Sequence, residues 1–497
     1  MRLLFSFIPL LFTLHLQANS PISGVVKDAE TKEALPFTNI IIEGRHRGSI
    51  SNSEGVFVLD EQGITADDYV LFSYMGYKSQ KIKVSELRSR HEIYLEPIAM
   101  NLKEVEVYSK SQSAEDIIKQ VRKNLDDNYP EPAYKQKLFT HRYERVPFSE
   151  DNRITIKRSN FDGMDQDTFD EMYRVMPKEF TEYQDAVMGH YYYDDEHKLD
   201  PIEGVSLEEG AMKEIEKEIE DLLGDFMKDI ESTKEDEDVY YKFRTGLLSF
   251  KADNEPSDMD STWKENMNDS LNYIIPTHLV ASGIKFLFND YSRIDGKNWE
   301  FIEDPGKFDY EIENVIYYNE EVVYVISFQP KSRGLFQGKV YVSTSDYGIL
   351  QADFEYAPGK DSENIDLLGV AHSMKHKKAR VIFEKGDEGY LLKYLNVKQK
   401  EYASIDRKFS VMKKQKRFLI DKELKEIKMD AHLIFNINSQ WEILVLDREK
   451  ISEDRFEAFK QPKSMKFRKE YSYSPNIWNN RTVLVPTSEL QKYTRTE

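Results

Sequence analysis

The chain has 497 residues, 40% apolar and 32% charged, with a formal net charge of −20. That composition excludes a multi-span helical membrane protein, and an acidic surface disfavours nucleic-acid backbones and anionic headgroups. The absence of cysteine removes disulfides, Cys-ligated zinc or iron–sulfur sites and a thiol nucleophile.

Arg2 followed by the apolar run Leu3 to Leu14 and by Leu16-Gln17-Ala18 predicts a secretory signal peptide, residues 1–18, cut after Ala18. The run is shorter than the roughly 20 residues a spanning helix needs. An exported protein without a transmembrane helix is expected, in the periplasm or at the outer-membrane periphery of a Gram-negative bacterium.

Residues 19–97 read as all β. Ile22 to Val26, Thr38 to Ile42, Val56 to Leu59, Tyr69 to Tyr74, Gln80 to Val84 and His91 to Leu95 are short strands separated by turn residues such as Ser51-Asn52-Ser53-Glu54-Gly55. That spacing predicts a small β-sandwich. Residues 98–128 form a linker and a helix. Ser113 and Asp116 make a capping-box variant ahead of Ile117, Ile118, Val121 and Leu125 on one face.

From 129 to 497 strands dominate, beginning with Leu138 to Val146. Residues 162–205 read as irregular, acidic and tyrosine-rich. Met212, Ile215, Ile219, Leu222, Phe226 and Ile230 recur at three or four residues, which predicts an amphipathic helix inside an acidic insertion at about 195–270. Asn314 to Tyr318, Val322 to Phe328, Gly338 to Ser343 and Ile349 to Tyr356 form a meander, with turns at Asn319-Glu320-Glu321 and Tyr347-Gly348. Arg380 to Phe383, Tyr390 to Lys398 and Leu433 to Ile437 continue it. The fold class expected is mainly β with helices (α+β): an N-terminal sandwich, then an antiparallel β-rich domain, with a half-barrel as one form of it.

Gly24, Asp28, Leu35-Pro36, Gly48, Glu54-Gly55-Val56-Phe57 and Gly76-Tyr77 fall in the order and spacing of the carboxypeptidase-regulatory-like domain, which the N-terminal segment resembles. The resemblance implies a transthyretin-like sandwich of about seven strands and, in Gram-negative envelopes, a following segment like Leu102-Lys103-Glu104-Val105-Glu106-Val107. It implies neither transport nor peptidase activity. The chain after residue 110 is too short for a plug and a barrel of about 22 strands, and the module is non-catalytic in metallocarboxypeptidases. The remainder resembles an envelope family of exported bacterial proteins carrying the same module. Its meander resembles the half-barrel of periplasmic lipoprotein carriers.

The chain has ten histidines as candidates for chemistry. His141-Arg142-Tyr143-Glu144 has metallocarboxypeptidase spacing, with His278 as a third ligand, but on a strand positions i and i+3 face opposite sides. His372 and His376 sit among Lys375, Lys377 and Lys378, in a segment read as a loop from Gly369 to Ala379. His190 and His197 bracket Asp194-Asp195-Glu196 in an acidic loop without alternate ligand spacing. Asp304 and Asp309 are a carboxylate pair of unknown separation. No catalytic, cofactor-binding or metal residue is therefore named, and no cofactor. The expected function is a non-enzymatic envelope protein that binds a protein, peptide or lipid partner, not nucleic acid, through the sandwich and a concave aromatic sheet. The alternative is an exported metal-assisted hydrolase with an unrecognised His/carboxylate site.

Overall fold

The computed structural model describes residues 21–45, 47–59, 63–98, 112–208, 210–233, 238–246, 248–252, 271–319, 321–474, 477 and 484–491. The expected signal peptide, the Leu102 to Val107 segment, His15, His46 and residues 253–270 of the expected acidic insertion lie outside these.

The first unit contains β1 (Ile22–Asp28), β2 (Asn39–Ile42), β3 (Gly48–Ile50), β4 (Val56–Leu59), β5 (Tyr69–Ser73), β6 (Gln80–Lys83) and β7 (Glu92–Leu95). They form two sheets, β4-β1-β7 and β3-β2-β5-β6. Alternation in β1 buries Ile22, Gly24, Val26 and Asp28 on one face. Val26, Ile40, Phe57, Phe72, Ile82 and Leu95 fill the space between the sheets. β3 and a helical turn at Val84–Leu87 are the elements sequence reading did not resolve. Gly55 sits at φ +76°, and a Cβ there would lie 2.8 Å from the Val26 carbonyl oxygen.

Helix α1 (Ala114–Lys123) follows, capped as expected: Ser113 Oγ accepts from the Asp116 N–H at 3.1 Å. The rest builds one 16-stranded sheet. Its strands are β8 (Tyr134–Pro147), β9 (Arg153–Ser159), β10 (Glu179–Tyr193), β11 (Glu196–Glu208), β12 (Val239–Thr245), β13 (Leu248–Ala252), β14 (Asn272–Pro276), β15 (Phe308–Tyr318), β16 (Glu321–Pro330), β17 (Phe336–Ser343), β18 (Ile349–Tyr356), β19 (Ser362–Leu367), β20 (Val370–Gly386), β21 (Gly389–Gln415), β22 (Lys422–Lys450) and β23 (Ser464–Glu470). The main path runs β14-β23-β11-β10-β8-β22-β21-β20-β18-β17-β16-β15, and its two ends do not pair, so no barrel closes.

The structure departs from the sequence expectation in two segments. Residues 179–208 are not irregular but the long hairpin β10–β11, closed by Asp194-Asp195 with both residues at positive φ. Two such residues are what a type I′ turn requires. The Gly369 to Ala379 segment is not a loop but enters β20, whose register shifts between Met374 and His376. The amphipathic helix is present as α3 (Gly210–Thr233) and packs with α2 (Gln166–Val175) over the far half of β21–β22, around Phe161, Phe226, Tyr241 and Ile427.

One face of the large sheet is apolar and is covered from within the chain. Helices α1, α4 (Thr277–Tyr291) and α5 (Glu300–Glu303) press Ile117, Phe288 and Phe301 onto Val340, Val342, Phe354 and Leu395. Trp299 is completely buried, and Phe301 stacks on Phe328 with ring centres 4.2 Å apart. The apolar face of the sheet is therefore filled by the protein's own side chains.

The sandwich docks on this unit. Gly76 N–H donates to the Tyr317 carbonyl at 2.9 Å, Asn52 Nδ2 to that of Val485 at 3.1 Å, and Ile50 packs with Phe139, Tyr394 and Leu444. Because the sandwich has its own core, residues 21–98 expressed alone should give a dispersed folded spectrum by NMR. Gly55→Val in that fragment should lower stability by at least ~1 kcal/mol in urea titration, since a β-branched residue must adopt the left-handed backbone and meet the Val26 carbonyl.

Candidate functional site

The alternation that sends apolar residues under the helices sends polar ones to the opposite face. There a groove of about 1030 Å³ opens, floored by β8, β10, β16–β18 and β20–β22 and walled by Phe37, Asn52 and Ser53 of the sandwich and by residues 484–490. Its charges are largely paired with each other. Arg380 Nε lies 2.5 Å from Asp353, Lys378 Nζ lies 3.1 Å from Glu355, and Lys339 pairs with Glu313. Glu442 accepts from Tyr394 and from Asn396 Nδ2. Lys398 and Lys400 are exposed, with no ion pair among the described residues. Amides and phenols (Gln329, Gln337, Gln440, Asn438, Tyr143, Tyr341) line it beside the apolar Phe139, Phe354 and Ala379.

His141 belongs to this groove. It stands directly across from Asp185 in the β8–β10 register, and its Nδ1–H donates to Asp185 Oδ1 at 2.5 Å. Burial alone would depress the imidazole. The charge and hydrogen bond of Asp185, helped by Glu442 and opposed by Lys398, outweigh it and leave the pKa raised. Glu144 points the other way and pairs with Arg142. His278 is exposed on the first turn of α4, on the helix-covered side. The zinc triad suggested by spacing is thus not assembled.

His190 and His197 are brought together, though not by a loop. The tight turn places them as diagonal neighbours across the hairpin, with His190 Nε2 2.9 Å from His197 Nδ1. Arg448 Nε donates to Gln136 Oε1 at 3.0 Å, which orients the amide so that Gln136 Nε2–H donates to His190 Nδ1 at 2.8 Å. His190 Nε2–H then donates to His197. Both ring nitrogens of His190 face partners, Nδ1 as acceptor and Nε2–H as donor, so this is a polar relay in an apolar setting next to Phe288. Burial drives the pKa of His190 well down and that of His197 to about 4. The turn carboxylate of Asp195 is taken by Lys285 at 2.8 Å and Arg293 at 3.2 Å.

The other candidates are dispersed. His372 Nε2 lies 3.1 Å from Glu401, while His376 lines the groove. Asp304 pairs with Lys307 and Asp309 with Lys331. Among the described residues no group of three or more His, Cys, Asp or Glu side chains could hold a metal ion, and no helix is long and apolar enough to cross a membrane. The His141–Asp185 pair escaped sequence reading because its partners lie 44 residues apart. Only the strand register joins them.

Against known families, residues 22–107 match the model of the CarboxypepD_reg-like domain. The chain carries a carboxypeptidase-regulatory-like domain. The module's seven strands in two sheets agree with the sandwich that the resemblance implied. No curated protein matches the chain. Among solved structures, a LolA superfamily protein from Nitrosomonas europaea aligns at 7% identity over 70% of this chain and 98% of its own, with a TM-score of 0.18. The MucA/MucB complex of Pseudomonas aeruginosa aligns at 7% identity over 69% and 100%, with a TM-score of 0.19. Overlays this loose assign nothing to the large sheet.

The relay has a consequence for stability. With its folded pKa below the unfolded value, His197 binds fewer protons when folded, so stability falls as pH drops from about 6.5 to about 4. A shift of that size corresponds to roughly 3 kcal/mol at full effect. Urea midpoints should therefore fall between pH 7 and pH 4.5, and His197→Phe should flatten that dependence. His141 acts in the opposite direction, its contribution fading as pH rises through its raised pKa.

Proposed function

We propose that this is a non-enzymatic envelope protein whose groove, between the regulatory-like module and the large sheet, holds an extended polar segment of a partner protein. The observation that carries the reading is the groove's lining. Most charges there neutralise one another, leaving Lys398 and Lys400 exposed beside amides and phenols able to donate and accept. A peptide backbone offers matching donors and acceptors at every residue, and half-exposed tyrosines suit its side chains. An acyl chain is disfavoured, because the sheet's apolar face is occupied by α1, α4 and α5. Export rests on the N-terminal sequence pattern.

The His141–Asp185 pair favours one second reading, an exported hydrolase in which His141 accepts a proton from a groove-bound water. A single experiment separates the two. Selection of a displayed dodecapeptide library on the full chain should enrich sequences whose binding falls at least about tenfold with Tyr341→Ala or Lys398→Glu, and recovered peptides should remain intact. Enrichment indifferent to both substitutions would reject the groove as the site. Cleavage of recovered peptides that His141→Asn abolishes would establish the hydrolase.

A further inference from the structure

The β21–β22 hairpin continues past the groove. Counted from Lys400 to Gln415 at the usual strand rise, it extends about 50 Å to a turn whose side chains are the most exposed large apolar groups among the described residues. Phe418 is 99% exposed, Leu419 86% and Ile420 84%. Three adjacent apolar side chains standing fully in water are unusual on a soluble surface.

The turn carrying them is held in place. Tyr240 on β12 donates to Asp421 at 2.6 Å, the Arg417 N–H donates to the same carboxylate at 3.2 Å, and the Lys416 N–H donates to the Asp238 carbonyl at 2.7 Å. The backbone is thus fixed while Phe418, Leu419 and Ile420 project outward. Lys416, Arg417 and Lys422 flank them, exposed, with Lys414 and Lys251 just behind. The Asp421 carboxylate is engaged by Tyr240, leaving Glu423 as the exposed acid among residues 414–423.

We infer that this hairpin tip inserts Phe418, Leu419 and Ile420 into the surface of a bilayer containing anionic lipid, with Arg417 and Lys422 at the headgroups. Apolar residues ringed by cations are the pattern of an interfacial anchor, in which buried area and attraction to anionic lipid add. The net charge of −20 opposes the approach of the whole molecule. That repulsion is screened beyond about 8 to 10 Å in physiological salt, so the headgroups meet chiefly the charges beside the tip, where Lys414, Lys416, Arg417, Lys422 and Lys251 outnumber Asp238 and Glu423. The inference is independent of what the groove holds.

The test is co-sedimentation of the full chain with vesicles of equal parts phosphatidylglycerol and phosphatidylcholine, and with vesicles of phosphatidylcholine alone. Binding is expected to the mixed vesicles and at least about tenfold weaker to the neutral ones. Replacing Phe418, Leu419 and Ile420 together by Ser should weaken binding to mixed vesicles at least about tenfold, with an unchanged thermal midpoint because these side chains make no core contact. Arg417→Glu with Lys422→Glu should do the same and remove the salt dependence. Leu367→Asp, at an equally apolar but acidic hairpin tip between β19 and β20 that includes Asp366, should change nothing. No binding by the unaltered chain, equal binding to both vesicle types, or indifference to the triple substitution would each overturn the proposal. So would concentration-dependent self-association of the unaltered chain that the triple substitution abolishes, because the tip would then be covered by a second copy.

Discussion

The architecture hangs on one antiparallel ladder, in which Tyr394 to Gln415 pairs with Leu444 back to Lys422. It is the spine to which the other strands attach. β20 pairs along the near half of β21, β8 pairs with the C-terminal end of β22, and β9 and β12 pair with the far halves. The hairpin is local in sequence, so it can form without a large loop-closure cost. The strands that pair with it are constrained in register by its hydrogen bonds. Groove and tip are consequences of its length, since the near half floors the groove and the far half carries the arm.

Strand alternation then divides the molecule's chemistry. On the near half, every second residue lies in a dry apolar layer, and the intervening ones face the groove. Two lysines show how strict the division is where bulges shift the register. Lys377 reaches Asn298 at 3.1 Å and Lys393 reaches the Val445 carbonyl at 2.9 Å, both with pKa values depressed mainly by burial. A buried ammonium needs such acceptors, and each extends the polar network into the covered face without opening it to solvent. For a lipid-sized ligand to enter that face, α4 and α5 would have to leave, exposing Trp299 and Phe301.

What the sequence made legible follows from the range of the interactions involved. The sandwich strands, the Ser113 cap, the α3 stripe and the turns at Asn319 and Tyr347 all rest on contacts within a few residues, and both turn residues do sit at positive φ. β10 and β11 were hidden because their tyrosines and acids carry no simple apolar alternation: Tyr191 and Tyr192 are buried, whereas Tyr183 and Asp185 line the groove. The lysines of β20 made a strand look like a loop for the same reason. The His141–Asp185 pair was invisible for a stronger reason. It is a cross-strand contact, and no spacing along the chain encodes which residue a register will place opposite. The His190–His197 relay did have a local signal, since two acidic residues between alternating aromatics can form a two-residue turn that sets the histidines side by side.

The regulatory-like module is part of the groove rather than an appendage to it. Phe37 holds a backbone φ of +61°, uncommon for an aromatic residue. The Leu35-Pro36-Phe37-Thr38 segment is pinned there by Ser51, whose Oγ accepts from the Thr38 N–H at 2.9 Å and donates to the Leu35 carbonyl at 2.9 Å. The resulting direction of the ring sets it 5.5 Å from Tyr394 and beneath the Arg380 guanidinium at 4.4 Å. Arg380 is in turn tied to Asp353 in the groove floor. A segment that the module's own hydrogen bonds hold in a costly conformation thus supplies one wall of a cavity whose floor belongs to the large sheet. A ligand touching both must stabilise their docking by the free energy it gains from the assembled wall, and a module displaced from the sheet must lose that ligand by the same amount.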